Sequence, residues 1–175
     1  MLGMLDVLKA KIRDVRDFPR EGIIFKDITP LLGDPQAFNM TINLLADRYI
    51  GHRVDRIVGV EARGFILGSA LAYKLNAGFV LVRKPGKLPA ETLKTAYMLE
   101  YGSDELEVHR DALSPGLRVV LIDDVIATGG TICATVDLIQ KLQCEIIEIA
   151  FLVELCALGG RQRLQDHKVF SLLQY

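Results

Sequence analysis

Cysteine, net charge and long apolar runs are all scarce in this chain, and each shortage removes a class of protein. The three cysteines, Cys133, Cys144 and Cys156, are odd in number and widely spaced. They make no Cys-x-x-Cys or Cys/His spacing of the kind that binds zinc. Their apolar neighbours predict buried thiols in a reducing compartment. Lysine plus arginine number 21 against 22 acids, for a formal net charge of −1, so no global field draws the chain to nucleic acid or to a membrane surface. An anionic ligand must then be held by a local site. No apolar stretch approaches the ~18 residues of a membrane span. Met1 to Arg16 carries charges every few residues, unlike a signal peptide, and the expected location is cytoplasmic. Neither Gly-x-x-x-x-Gly-Lys-Ser/Thr nor Gly-x-Gly-x-x-Gly after a strand occurs, which excludes the common nucleotide-binding loops. Internal repeats, low-complexity tracts and linkers are missing as well. With 175 residues, half of them hydrophobic, residues 1–175 are expected to form one domain with a sizeable core.

What is present is concentrated in the run from Arg118 to Thr131. An apolar strand, Val119 to Ile122, is expected to end on two carboxylates, Asp123 and Asp124. A small-residue turn follows, Ala127-Thr128-Gly129-Gly130-Thr131, and then a helix with Ile132, Val136, Ile139 and Leu142 on one face. A helix N-terminus offers free N–H groups and the positive end of its dipole to a phosphate. The glycines let backbone approach that phosphate closely. A phosphate site beside two carboxylates suits a sugar phosphate, the acids accepting from ribose hydroxyls. The plainer reading is an ordinary strand-to-helix turn.

Elsewhere the patterning predicts an α/β fold. Leu5, Leu8, Ile12 and Val15 mark a first amphipathic helix. Phe18 to Pro30 is broken by two prolines and a glycine yet rich in apolar residues, and reads as a structured hood, about residues 18–33. Asp34-Pro35 caps a helix whose stripe is Phe38, Ile42, Leu45 and Tyr49. Four runs apolar on both faces, Ile57–Val60, Phe79–Val82, Val119–Ile122 and Ile146–Val153, read as central strands of an open, mainly parallel sheet flanked by helices. Ligands of such sheets bind at the carboxyl ends of the strands. From Lys84 to about residue 108 the chain predicts a long loop rising into a β-hairpin with Gly102 near its turn.

Two further strand ends carry cations. Ile57–Val60 is followed by Glu61-Ala62-Arg63-Gly64, and Phe79–Val82 by Arg83-Lys84, with Lys87 beyond. Arg63, Arg83, Lys84 and Lys87 are the convergent charge a diphosphate needs. The plainer readings are a structural salt bridge for Arg63 and solvated loop charge for Lys84 and Lys87.

The Arg118–Thr131 run resembles the ribose-phosphate signature of the type I phosphoribosyltransferases. Over nearly the full chain the resemblance narrows to the adenine-specific members. Phe18-Pro19 and Gly22 to Pro30 resemble their hood, Arg83 to Pro89 their flexible loop, Leu99-Glu100-Tyr101-Gly102 its return strand, and Val153-Glu154-Leu155 and Phe170 to Tyr175 also match. The resemblance implies that Phe25 and Leu155 sandwich a purine and that backbone groups at Ile24 and Lys26 read its edge. Without it, Phe25 and Leu155 read equally well as core packing. Lys26 departs mildly from the family, where arginine is also common. It implies a non-proline cis bond at Glu61–Ala62. It also implies transfer of a ribose phosphate from 5-phosphoribosyl 1-diphosphate to adenine, giving AMP and diphosphate. Mg²⁺ would be held mainly by the diphosphate and water, with Asp123 and Asp124 nearby and no direct protein ligand. Ala127, Thr128, Gly129, Gly130 and Thr131 would take the 5′-phosphate, and Arg63, Arg83, Lys84 and Lys87 the diphosphate. Glu100 is the candidate base for the N9 proton, with Tyr101 beside it, and a homodimer is implied. Three alternatives stay open: the same fold acting on an oxo-purine, a non-catalytic sensor of the activated sugar, and a generic α/β binding domain.

Overall fold

Apolar runs and helical stripes alternate along the chain. In the computed structural model, which describes residues 2–99 and 102–175, they become a parallel sheet with helices on both faces. Helix α1 (Leu2–Lys9) leads into a separate antiparallel ribbon, β1 (Arg13–Arg16) with β2 (Ile24–Asp27). A short helix α2 (Thr29–Leu32) follows, then α3 (Pro35–Asp47). Asp34 caps α3 as expected, its carboxylate accepting from the N–H groups of Gln36 and Ala37 at 3.0 Å, a contact worth about 1 kcal/mol. The sheet then builds through β3 (Arg56–Val60), α4 (Arg63–Leu75) and β4 (Gly78–Val82). It is interrupted by the hairpin β5 (Thr92–Leu99) and β6 (Gly102–His109), and finished by β7 (Arg118–Ile126), α5 (Gly130–Lys141), β8 (Glu145–Glu154) and β9 (Val169–Gln174). Its order is β4-β3-β7-β8-β9, with every neighbouring pair parallel.

Alternation along β7 splits the core in two. Val120 and Ile122 belong to the cluster under α1, α3 and α4, with Leu8, Leu45, Leu67 and Leu71. Val119 and Leu121 belong to the cluster under α5 and the hairpin, with Leu106, Val108, Leu138 and Ile139. Successive strand residues face opposite ways, so the next two, Asp123 and Asp124, continue this split into the site.

Several expectations need correction. The stripe ending on Val15 predicts one helix, but α1 stops at Lys9 and Val15 sits in β1 opposite Phe25. Cross-ribbon pairing wins there: Arg13 donates to Asp27 through Nε at 3.0 Å. Phe79–Val82 is an edge strand, with Leu81 exposed, rather than a central one. A fifth strand, β9, completes the opposite edge. Cys133 and Cys144 are half-buried and Cys156 is exposed, so the cysteines are not all core thiols. The hairpin forms as expected, with Gly102 paired to Leu99.

Candidate active site

The carboxyl edge of the sheet is stepped, and the site lies at the step. Strand β7 does not end at Ile122 as expected. Its pairing with β3 stops at Gly59 and Ile122, while its pairing with β8 runs on to Ile126 and Glu154. The chain of β3 has already turned into α4, so Asp123 and Asp124 lie where β7 has lost one neighbour. Close approach of α4 keeps this corner tight: a Cβ on Gly64 would meet Asp123 Oδ1 at 2.9 Å and the Ile122 carbonyl at 3.0 Å.

On one side of β7 lies a cradle of about 90 Å³ lined by Asp123, Ala127, Thr128, Gly129, Gly130, Thr131 and Phe151. Gly129 has φ +82° and precedes α5 without any side-chain cap, so the first N–H groups of α5 have no side chain competing for them. The turn is held from behind by backbone. A Cβ on Gly129 would meet the Gly160 carbonyl at 2.9 Å, and one on Gly160 would meet the Ala127 carbonyl at 2.2 Å. Gly160 was not anticipated, because only the folded chain brings residues 127 and 160 together.

On the other side Asp124 is buried, and its Oδ2 is 2.8 Å from Arg63 Nε. The ion pair is not aligned as a hydrogen bond, and Oδ2 has no hydrogen-bond partner among the described residues. Burial raises the pKa of Asp123, and the adjacent Asp124 raises it further. Burial also raises Asp124, against the pull of Arg63. Hydroxyl donors or a cation placed against this pair would favour its ionised form and offset the cost of burial. The Arg63 guanidinium also lies 4.9 Å from the centroid of the Phe25 ring, and Phe18 meets Phe25 edge-on at 5.2 Å. Phe25, Arg63 and Asp124 therefore form one chain of contacts from hood to sheet.

Ile24, Phe25 and Lys26 lie in β2, which pairs only with β1 in its ribbon. Among the described residues one backbone edge of β2 has no ladder partner, and residues two apart point their N–H and C=O groups to a common edge, which makes Ile24 and Lys26 a pair. Leu155 follows β8 and packs on the α4-side core; its N–H donates to the Ile126 carbonyl at 3.0 Å.

Arg83 and Lys87 meet on a residue to which no role was given, Glu61. Its carboxylate accepts from Lys87 Nζ, from Arg83 Nε at 3.2 Å and from the Lys84 N–H at 3.1 Å. Burial pushes its pKa up, but these donors outweigh it and the net shift is downward. The Glu61–Ala62 bond is cis, as the resemblance implied. The Lys84 side chain does not join this cluster; it pairs with Asp104 of the hairpin at 2.9 Å. A second unforeseen carboxylate, Glu107, is buried and accepts from the N–H groups of Lys87 and Leu88, at 3.1 and 3.3 Å. Its signal was its position, an acid between Leu106 and Val108 in a strand where both neighbours are core. Glu100 and Tyr101 lie outside the described residues. No group of three or more acid, His or Cys side chains suited to a metal is found among the described residues, and no helix there is long and apolar enough to cross a membrane.

Comparison with known proteins agrees with this geometry. The family model of the phosphoribosyl transferase domain matches residues 32–174. An adenine phosphoribosyltransferase of Geobacter metallireducens is 59% identical over 171 residues, covering 98% of this chain and all of the relative. The crystal structure of the Saccharomyces cerevisiae adenine phosphoribosyltransferase, complexed with an imino-altritol bisphosphate and adenine, superposes with a TM-score of 0.93 at 39% identity, over 98% of this chain and 99% of that one. That of Trypanosoma brucei, in complex with AMP, pyrophosphate and ribose-5-phosphate, gives 0.90 at 28% identity, over 98% of this chain and 79% of that one. The chain belongs to the phosphoribosyltransferase family, on its adenine phosphoribosyltransferase branch.

Proposed function

We propose that this chain is a cytoplasmic purine-salvage enzyme that joins adenine to 5-phosphoribosyl 1-diphosphate, releasing AMP and diphosphate. The observation that carries the reading is the uncapped N-terminus of α5 beside the Asp123–Asp124 pair, facing the Arg63, Arg83 and Lys87 cations across the step of the sheet. This is the complement of a sugar bearing a phosphate at one end and a diphosphate at the other.

In this reading the Thr128–Thr131 backbone and hydroxyls hold the 5′-phosphate, and the acid pair accepts from the ribose hydroxyls. As the bond from the anomeric carbon to the diphosphate lengthens, positive charge develops on the ribose. The carboxylate pair stabilises that charge in place. Arg83 and Lys87 neutralise the departing diphosphate once it replaces Glu61 as their partner, and Arg63 joins them by giving up Asp124. Lys84 joins them only by giving up Asp104. The base stacks on Phe25, with Leu155 on its other face. Backbone carbonyl and N–H groups of β2 at Ile24 and Lys26 meet the amino group and ring nitrogen of adenine. An oxo-purine would present the wrong polarity there, at about 1–3 kcal/mol per unpaired group. Glu100 takes the N9 proton, with Tyr101 beside it on the closing hairpin. Two adjacent hard-oxygen carboxylates, one with an orphaned buried oxygen, fit Mg²⁺ held through water and ribose hydroxyls. Beside Asp123 and Asp124, that ion would supply further charge neutralisation of the diphosphate. A homodimer belongs to the same proposal, and exposed Ile66, Tyr73 and Leu81 on α4 and β4 offer apolar surface for it.

The test is AMP formation from adenine, the activated sugar and Mg²⁺, run beside hypoxanthine and guanine. Product from adenine alone is expected. Equal product from an oxo-purine would overturn the base assignment, and no product from any base, with the activated sugar still bound, would favour a sensor.

A further inference from the structure

The two walls of the purine site come from distant parts of the chain. Phe25 lies in the ribbon and Leu155 follows β8, and no ladder joins them. One residue touches both supports. Tyr175, just beyond β9, donates its N–H to the Glu154 carbonyl at 3.0 Å, and its carbonyl accepts from the Cys156 N–H at 2.9 Å. These two bonds bracket Leu155 from either side. The Tyr175 ring reaches the other way, with the Lys26 ammonium 4.1 Å and the Lys9 ammonium 5.5 Å from its centroid. Lys26 is further held by Asp14 of β1 at 2.6 Å, and its side chain is only 12% exposed.

We propose that Tyr175 is a positioning residue for the purine: it clasps the strand carrying Phe25 to the segment carrying Leu155 and sets the gap between them. The inference rests on the reading of Phe25 and Leu155 as the purine walls. The chemistry is suited to the task. A cation over a ring face is attractive at any small lateral offset, so the clasp tolerates the ribbon shifting as a base enters, whereas a buried hydrogen bond would not.

The experiment measures steady-state constants for both substrates in Tyr175→Leu, Tyr175→Phe, Lys26→Met and Phe25→Ala. Tyr175→Leu is expected to raise KM for adenine about fivefold, the scale of one partly buried cation–ring contact. KM for the activated sugar should stay within about twofold, and Tyr175→Phe, which keeps the ring, should restore the wild-type value. Lys26→Met attacks the same contact from the other side, so its effect and that of Tyr175→Leu should not add. An unchanged adenine KM in Tyr175→Leu, beside a raised one in Phe25→Ala, overturns the clasp and leaves the purine walls standing. A proportional rise in both KM values, or full additivity with Lys26→Met, marks general structural support and also overturns it. An unchanged adenine KM in Phe25→Ala removes the walls and the clasp together.

Discussion

The two halves of the proposed site are built to hold anions by opposite means. The cradle before α5 is made of backbone. Its donors are peptide N–H groups, Gly129 sets its shape at positive φ, and Gly160 behind it leaves no room for a side chain. The cluster past the carboxyl ends of β3 and β4 is made of long side chains. Arg83 and Lys87 are neutralised by Glu61, and Lys84 by Asp104. A phosphate entering the cradle finds donors already in place. A diphosphate entering the cation cluster must replace a carboxylate and re-pair the long side chains. The difference matches what each anion does in the proposed reaction. The monophosphate is a fixed handle throughout, while the diphosphate must be gripped in one step and released in the next. A rigid site serves the first task and an exchangeable one the second.

The strongest way to break the comparison is to put a methyl group behind the rigid half. In Gly160→Ala the new Cβ lies 2.2 Å from the Ala127 carbonyl and 2.9 Å from the Gly129 nitrogen, both backbone atoms. The cradle itself must move. Overpacking of this kind costs about 1–3 kcal/mol, or roughly 5 °C in melting temperature for a chain of this length. Ribose 5-phosphate should bind at least about tenfold more weakly, since displaced donors lose charge-assisted bonds worth about 1.5–3 kcal/mol. Calorimetric titration and a thermal melt check both. Wild-type affinity in a fully folded variant would show that the cradle is not rigid.

Asp123→Asn comes next and separates function from stability. The amide oxygen can still accept from the Asp124 N–H, the 2.9 Å bond now made by Asp123 Oδ1, but the charge is gone. Turnover should fall about a hundredfold, the scale of one lost electrostatic stabiliser. Stability should move the other way with pH. The folded-state pKa of Asp123 is raised by burial and by Asp124. Its contribution is therefore fully present below the ordinary carboxylate pKa of about 4 and is lost as pH rises through the raised value. Asparagine does not titrate. The variant should melt with the wild type near about pH 4 and progressively above it toward pH 8. A difference that stays flat across that range would contradict the assignment.

The same contrast governs how much was legible in the sequence. The acid pair and the Ala127–Thr131 turn are contiguous, and their chemistry follows from local rules, so strand, turn, helix and ligand class could all be read from one run. The edge position of β4, the length of β7 and the strand β9 could not, because they depend on which strands become neighbours. Local periodicity carried α1 too far, to Val15, since a helical stripe and a short strand look alike over four residues when Arg13 and Asp27 are not known to meet. Glu61, Glu107 and Gly160 were missed for one reason. Each acts on residues 13 or more positions away, and each is an ordinary residue in its own neighbourhood.

The smallest effect sharpens the comparison most. Lys87 pairs with Glu61 on a half-exposed side chain, and such pairs contribute about 0–1 kcal/mol to stability. Lys87→Met should therefore melt within about 2 °C of the wild type. Its KM for the activated sugar should rise about tenfold, because one charged donor to the diphosphate is lost. Salt separates the two halves further. Between about 0.05 and 0.5 M NaCl, screening shortens from roughly 14 to 4 Å and weakens contacts made by exposed cations more than those made by backbone N–H groups. Diphosphate binding should then lose several-fold more affinity than ribose 5-phosphate binding, and Lys87→Met should narrow that gap. Equal salt sensitivity of the two ligands would mean that the cation cluster is as preorganised as the cradle, and that Glu61 is a fixed part of the diphosphate site rather than its stand-in.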